Sequence, residues 1–449
     1  MGKTFRAWDV DQEWLLPPSV HDFVPAGHGA HLIRDLVRET LDLRAIVDAY
    51  PEDRGQPPYH PAMMTALLLY AYSRGIYASR RIAIACDERV DVMAVTGMQH
   101  PDFRTISDFR KRHLAALGAL FVQVLTLCRE AGLVKLGHVA LDGTRIKANA
   151  SKHKAMSYGR MVQAEAALAE EVAGWLAAAE ATDAADDAAL GPDRRGDELP
   201  DWVADKVARL ARIRQAKAAL EAEAPAAAEP PAAATSETAA VGPATASAPP
   251  PATPAPPVAQ APKAKTQRNF TDPDSRIMKT KDGFIQGYNA QAAVDGAAQI
   301  IVAHGLTNRG SDQDQLTPLL DAITANTGGP PKEVSADAGY CSEANLEALE
   351  ARGVRGYVAT GRQRHGAPAA TGRGRQHGPR VRAMRTRLRR GGFRSRYRLR
   401  KQTVEPVFGQ IKQARGLRQF LLRGLAKVPH EWALVCTAHN LVKLTRALA

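Results

Sequence analysis

The segment HVALDGTRIKA at residues 138–148 decides the fold of this chain. Apolar and polar side chains alternate along it, which predicts a half-buried β-strand, whereas the residues before it have helical periodicity. Asp142 lies in the middle of this strand, next to Gly143. The change of period at residue 138 therefore indicates that a β-sheet follows a helical N-terminal region.

Four further strands are predicted downstream, at residues 283–295, 299–306, 332–336 and 354–360. Helices are expected between the third and fourth strands, between the fourth and fifth, and after the fifth. Three strands followed by alternating helices and strands are the order of the RNase H-like fold. We therefore predict an α/β protein with a mixed five-stranded sheet and helices on its faces.

The remaining segments differ from this core in composition. Residues 1–132 read as a helical domain, in which LLLYAYSRGIYASRRI is typical of a helix-turn-helix and, equally well, of a packed helical bundle. Residues 156–223 predict a helical hairpin that interrupts the catalytic domain, whose two parts would be 133–155 and 267–449. Residues 224–266 are expected to be a disordered spacer, because 27 of the 39 residues from 224 to 262 are Ala or Pro.

Three carboxylates are candidates for catalysis: Asp142 on the first strand, Asp337 at the end of the fourth, and Glu405 on the last helical run. The first and fourth strands are neighbours in this strand order, so both Asp side chains are expected at one sheet edge. Either Asp alone, beside a glycine, could equally be a turn or cap residue. Mutual repulsion of three carboxylates calls for a cation, and oxygen ligands favour two Mg²⁺ or Mn²⁺ ions.

Composition narrows the class of protein. The net charge is +13 and the pI is near 9.7, which favours a polyanionic partner such as nucleic acid. The four cysteines are widely spaced, which favours a reducing cytosol over a disulfide framework. No apolar run reaches the length of a membrane span, and no secretory signal is evident, so we expect a cytoplasmic, nucleoid-associated protein without a membrane partner.

Six segments together resemble bacterial DDE insertion-sequence transposases, most closely the group numbered eleven eighty-two. Four belong to the predicted catalytic domain and two to the N-terminal domain: HVALDGTRIKANASKHKAMSYGRM, NFTDPDSRIMKTKDGFIQGYNAQAAVD, SADAGYCSEANLEAL, RKQTVEPVFGQIKQARGLRQFLLRGL, LLLYAYSRGIYASRRI and HPDFRTISDFRKRH. The resemblance implies that Asp142, Asp337 and Glu405 form the catalytic triad and bind the metal ions. It also implies double-stranded DNA with terminal inverted repeats as the partner, and a homodimer in the DNA complex.

Related transposases carry a Tyr-Arg-Glu-Lys signature around the catalytic Glu. Its Lys matches Lys412, its Arg position falls on Lys401 with Arg400 adjacent, and its Tyr position falls one residue from Tyr397. The Glu–Lys half therefore fits more closely than the Tyr–Arg half.

A basic arm, defined as residues 362–401, contains 15 Arg or Lys and no acidic residue. Such an arm is either a solvated loop or a contact for DNA phosphates. We predict DNA contacts from the following arm residues and their continuation on the last helical run: Arg385, Arg387, Arg389, Arg390, Arg400, Lys401, Lys412, Arg415 and Arg418.

The sequence therefore predicts a DNA transposase that cleaves element ends and joins them to a target by two-metal phosphodiester chemistry. Two alternatives remain. An RNase H-like nuclease would cut DNA without joining it, and a domesticated, inactive protein would only bind DNA.

Overall fold

The computed structural model describes residues 19–50, 58–190, 201–223, 261–280, 283–361 and 378–448. These residues form two compact units. The larger unit contains the described residues up to 150 and from 274 onward, and the smaller unit is built from residues 151–273.

Seven helices precede the sheet in the described part of the larger unit: α1 (Gly29–Glu39), α2 (Arg44–Val47), α3 (Pro61–Ser73), α4 (Ser79–Glu88), α5 (Val90–Thr96), α6 (Phe103–Arg112) and α7 (Leu114–Glu130). Pro61 occupies the first turn of α3, and Gly75 closes it with a φ of 78°, a conformation that favours glycine. α3 is buried on all sides, so it is the central helix of this region.

Two helix boundaries differ from what sequence periodicity and capping residues predict. The apolar residues from 31 to 50 follow a helical period and predict one helix, but they form two, α1 and α2. Thr105 is a typical N-cap residue, yet α6 begins at Phe103, because the carboxylate of Asp102 caps it by accepting hydrogen bonds from the Arg104 and Thr105 amides at 2.6 and 2.9 Å. The chain then bends by 73° between α6 and α7. Among the described helices, none alone is long and apolar enough to span a bilayer, although the bent α6–α7 pair meets those criteria jointly.

The main sheet has the strand order expected for an RNase H-like fold. Its strands are β1 (Val139–Lys147), β4 (Arg276–Thr280), β5 (Gly283–Asp295), β6 (Ile301–Thr307), β7 (Glu333–Ala336) and β8 (Arg355–Val358). The order β6-β5-β1-β7-β8 combines antiparallel pairs at β1, β5 and β6 with parallel pairs at β1, β7 and β8. All five predicted strands are present. The short β4, which sequence reasoning missed, adds a sixth by pairing with the beginning of β5.

Five helices accompany the strands in the described residues after β6: α10 (Leu316–Thr327), α11 (Glu343–Ala351), α12 (Pro379–Gly391), α13 (Leu399–Gly409) and α14 (Val428–Leu448). α14 packs against α3 and α7 on one side and against β6 on the other, with Trp432 fully buried. The N-terminal helices and the sheet therefore share one hydrophobic core. The described residues on both sides of residue 132 belong to one compact unit, and the domain boundary there stays a prediction.

The smaller unit contains β2 (Ala155–Ser157), β3 (Gln267–Asn269), α8 (Tyr158–Leu190) and α9 (Asp201–Glu223). α8 and α9 pack against each other through Met161, Ile213 and Leu220, as the predicted hairpin requires. The expected spacer lies outside the described residues from 224 to 260. Its last residues, 261–266, are described and correct that expectation, because the Thr266 carbonyl accepts a hydrogen bond from the amide of Tyr158 at 2.7 Å.

Candidate active site

Asp142 and Asp337 lie side by side because of the strand register. β1 and β7 are parallel neighbours, and Leu141 of β1 is aligned with Ala336 of β7. Asp142 follows Leu141 and Asp337 follows Ala336, so both carboxylates lie at the same edge of the sheet. The Asp142 Oδ1 accepts a hydrogen bond from the Gly143 amide at 2.9 Å, and the Asp337 Oδ1 accepts one from the Gly339 amide at 2.8 Å.

The electrostatics of this edge disfavour two bare carboxylates. The pKa of Asp142 is raised to about 7, first by burial and then by the charges of Asp337 and Asp312, while Arg400 opposes the rise. The pKa of Asp337 is also raised, first by burial and then by the charge of Asp312. Burial and mutual repulsion therefore disfavour the ionised form of both carboxyl groups in the absence of a bound cation.

Glu405 joins this edge through an arginine. The Arg400 guanidinium donates from Nη2 to the Asp142 Oδ2 at 3.1 Å and from Nη1 to the Glu405 Oε1 at 2.7 Å. The Arg400 and Asp142 side chains are 12% and 13% exposed, so this half of the bridge is shielded from water, whereas Glu405 is 47% exposed. The structure thus brings Asp142, Asp337 and Glu405 to one region, with a guanidinium between the strand acid and the helix acid.

The helix that carries Glu405 is irregular directly after it. Pro406 has no amide hydrogen to donate to the Gln402 carbonyl, which accepts a hydrogen bond from the Gln299 side chain at 3.0 Å instead. The chain then forms a π-helical turn at Gln410–Ala414. π-turns within helices frequently occur at functional sites. Lys412, on this turn, donates to the Thr144 hydroxyl at 3.0 Å, which places its ammonium group beside β1.

The Arg and Tyr side chains that lie near the acids are Arg400 and Tyr397, which are not at the positions that the spacing of the signature indicates. Arg400, and not Lys401, contacts Glu405, whereas Lys401 is exposed. Tyr397 is partly buried near the same acids. Burial raises the pKa of its hydroxyl, and the charges of Asp337, Asp142 and Glu405 add to the rise while Arg400 opposes it. Sequence spacing placed the arginine position on Lys401, because Arg400 lies five positions before Glu405 rather than four.

The second half of the basic arm is a helix, whereas its residues 362–377 lie outside the described part. α12 buries Val381, Met384 and Leu388. Of the four arginines on α12 that are predicted to contact DNA, Arg385 is partly buried. The other three are exposed: Arg387, Arg389 and Arg390. Arg387 also donates to the Gly356 carbonyl of β8 at 3.0 Å.

Arg415 and Arg418 differ in their environment. Arg418 is exposed and lines the cavity of about 530 Å³ that also contains Asp337 and Lys412. The Arg415 guanidinium instead lies 2.7 Å from the His439 Nδ1 of α14, and burial lowers its pKa. The guanidinium of Arg415 thus contacts the core helix α14, and a DNA contact from this residue stays a prediction.

Asp312 is an acid of this site that sequence analysis missed. It directly precedes the 3₁₀ segment Gln313–Gln315 that leads into α10, and its Oδ1 accepts hydrogen bonds from the Asn289 and Gln291 side chains, each at 2.7 Å. The segment RGSDQDQL reads as an ordinary helix start. The sequence contains one signal that could have indicated a polar partner, namely the two amide side chains of Asn289 and Gln291 in the middle of β5.

The donor set fits a divalent cation in its chemistry. It consists of carboxylate oxygens without thiolates, and two of the acids, Asp142 and Asp337, repel each other. Within the described ranges, however, no three His, Cys, Asp or Glu side chains are already arranged around one ion position. Arg400 occupies the space between Asp142 and Glu405, so holding an ion there requires this side chain to shift.

Comparison with known protein families identifies the class. Residues 18–112 match a transposase domain, DUF772, and residues 259–441 match the transposase DDE domain. Together these segments span more than half of the chain. The chain belongs to the insertion-sequence DDE transposases. Members of this class act in DNA transposition and generally use divalent metal ions. Searches of curated proteins and of solved structures found no match.

Proposed function

We propose that this transposase cleaves the ends of its element and transfers the freed 3′-hydroxyl to target DNA, using Asp142, Asp337 and Glu405 as its catalytic carboxylates. The observation that carries the proposal is the shared register of β1 and β7, which presents two acids at one sheet edge. Glu405 reaches the same place from α13.

Asp142, Asp337 and Glu405 would hold divalent cations, Mg²⁺ or Mn²⁺ and two in number. Such ions, when bound, activate the attacking oxygen and stabilise the leaving oxygen of a phosphodiester. The chain itself supplies the cations that orient DNA. Lys412 is held beside β1 by Thr144, and we assign it to a phosphate next to the carboxylates. Arg400 would turn from Asp142 toward a phosphate once metal charge replaces its own.

We propose that the helices within residues 1–132 bind the terminal inverted repeats, and that α12 contacts the DNA backbone. The basic side chains of α4, Arg80 and Arg81, and those of α12 are on the described helices. Phosphate contacts of this kind give affinity without base specificity. We also propose that two copies of the chain act together on one pair of ends, as the family resemblance implies.

A cleavage and joining assay tests the proposal. A labelled duplex carrying one element end is incubated with Mg²⁺ and a target plasmid. The wild-type protein is compared with Asp142→Asn, Asp337→Asn and Glu405→Gln. We expect each substitution to abolish cleavage and to leave end binding in a gel-shift assay unchanged, because size is kept and only a ligand charge is removed.

Asp321→Asn is the matched control, because Asp321 is 58% exposed and pairs with Arg352 at the surface. Cleavage without joining by the wild-type protein would support the nuclease alternative. Binding without cleavage would support the inactive protein. Cleavage retained in one of the three acid variants would remove that residue from the proposed triad.

A further inference from the structure

The catalytic edge contains a fourth carboxylate, that of Asp312. Asp312 Oδ2 and Asp337 Oδ1 each lie 3.0 Å from the point that a side-chain carbon on Gly339 would occupy. The two oxygens are therefore at most twice that distance apart. Both residues also line the same cavity as Lys412 and Arg418.

Asp312 is held in place by a polar cradle that the sheet builds around a glycine. Gly143 follows Asp142 on β1 and is aligned with Gln291 on β5. A side-chain carbon at Gly143 would lie 2.6 Å from the Asp312 Oδ1 and 2.8 Å from the Asn289 Oδ1, which is closer than real contacts allow. The absence of that carbon therefore lets the Asp312 carboxylate approach β1 at the residue that follows Asp142.

The cradle uses buried polar groups, which are costly unless each has a partner. Gln291 is fully buried and Asn289 is 2% exposed. Both donate to the Asp312 Oδ1, and the Gln291 Oε1 accepts a hydrogen bond from the Tyr340 hydroxyl. The arrangement satisfies one oxygen of Asp312 and directs the other toward Asp337.

A purely local role does not account for this orientation. Asp312 precedes the 3₁₀ segment Gln313–Gln315, where an aspartate commonly caps the amides that follow. Its side chain makes no such capping hydrogen bond. The carboxylate instead points toward Asp337, an arrangement of two like charges that a bound cation would stabilise.

We propose that Asp312 is a fourth carboxylate ligand of the metal centre, with Oδ2 facing the ion that Asp337 holds and Oδ1 fixed by the Asn289 and Gln291 amides. This inference rests on the proposed function, because it assumes that the Asp142–Asp337 edge binds divalent cations. Asp312 would increase the affinity for the ion and fix the position of Asp337.

The test measures Mn²⁺ binding to the full-length chain, without DNA, by the electron paramagnetic resonance signal of free Mn²⁺. The variants are Asp312→Asn and Asp142→Asn. Asp314→Asn is the matched control, because Asp314 is 57% exposed and pairs with Arg309 at 2.7 Å. We expect Asp312→Asn to bind Mn²⁺ about ten-fold more weakly or worse, and Asp314→Asn to bind it as the wild-type protein does.

The outcomes separate this inference from the proposed function. Wild-type binding by Asp312→Asn, together with weakened binding by Asp142→Asn, would overturn the role of Asp312 and leave the metal centre standing. If the wild-type protein and all variants bind Mn²⁺ equally, or not at all, both the metal centre and the role of Asp312 are refuted.

Thermal unfolding of the metal-free protein adds an independent readout. Asn at position 312 keeps an oxygen that accepts from Asn289 and Gln291 but removes a negative charge facing Asp337. We therefore expect the melting temperature of Asp312→Asn to equal or exceed that of the wild-type protein at pH 8. A lower melting temperature with unchanged Mn²⁺ binding would show that Asp312 only supports the fold.

Discussion

Replacing Asp142 by Asn should stabilise the metal-free protein at alkaline pH while abolishing its activity. Burial, the first cause, raises the pKa of Asp142 from 3.8 to about 7 in the folded protein. The folded state therefore binds this proton more tightly than the unfolded state does. The contribution of Asp142 to stability is complete below about pH 4 and is lost as the pH rises toward about 7.

The size of this effect follows from the shift. At 1.36 kcal/mol for each pH unit, a change from 3.8 to about 7 corresponds to a free energy on the order of 4 kcal/mol. The amide of Asn carries no charge at pH 4 or at pH 8, so the Asp142→Asn variant does not lose this stability as the pH rises. The difference in unfolding free energy between variant and wild type should thus move in favour of the variant by that order between pH 4 and pH 8.

The assay compares thermal unfolding in EDTA at pH 4, 5 and 8 for the wild-type protein, Asp142→Asn and the surface control Asp321→Asn. The melting temperature of Asp142→Asn should rise relative to wild type as the pH increases, and that of the control should not. Added Mn²⁺ should reverse the order by stabilising the wild-type protein. If the melting temperature of Asp142→Asn were below that of the wild-type protein by the same amount at every pH, the predicted effect of the Asp142 charge would be refuted.

Three further predictions concern DNA. Arg400→Ala should lower cleavage much more than Lys401→Ala, measured on one end-containing duplex, because only Arg400 contacts Asp142 and Glu405; equal effects would contradict its placement. Replacing residues 224–260 with a Gly/Ser linker should leave strand transfer within a few-fold, because Ala and Pro dominate that stretch; complete loss of activity would mean that it binds a partner. Replacing Arg385, Arg387, Arg389 and Arg390 of α12 by alanine should weaken binding to element ends and to random DNA alike. The slope of the logarithm of the binding constant against the logarithm of salt concentration should become shallower by about one unit for each phosphate that the variant no longer binds. An unchanged slope together with lost discrimination between element ends and random DNA would indicate that these arginines recognise bases.

The sequence by itself determined the sheet and two of its acids. Alternating apolar residues at 138–148 and the spacing of later strands predicted five strands in the order that the structure confirms. Asp142 and Asp337 could be placed together because strand order brings β1 and β7 side by side. Periodicity along the chain is a local property, so it is readable without coordinates.

Tertiary structure alone decided which side chains face the acids. Asp312 belongs to the site because Gly143 leaves space for it and β5 supplies two amides, and these contacts join three separate segments. Arg400 rather than Lys401 reaches Glu405 because of where α13 lies against β1. The guanidinium of Arg415 contacts His439 of α14, which spacing along the chain does not predict. Such choices depend on packing between distant segments, which spacing along one chain does not encode.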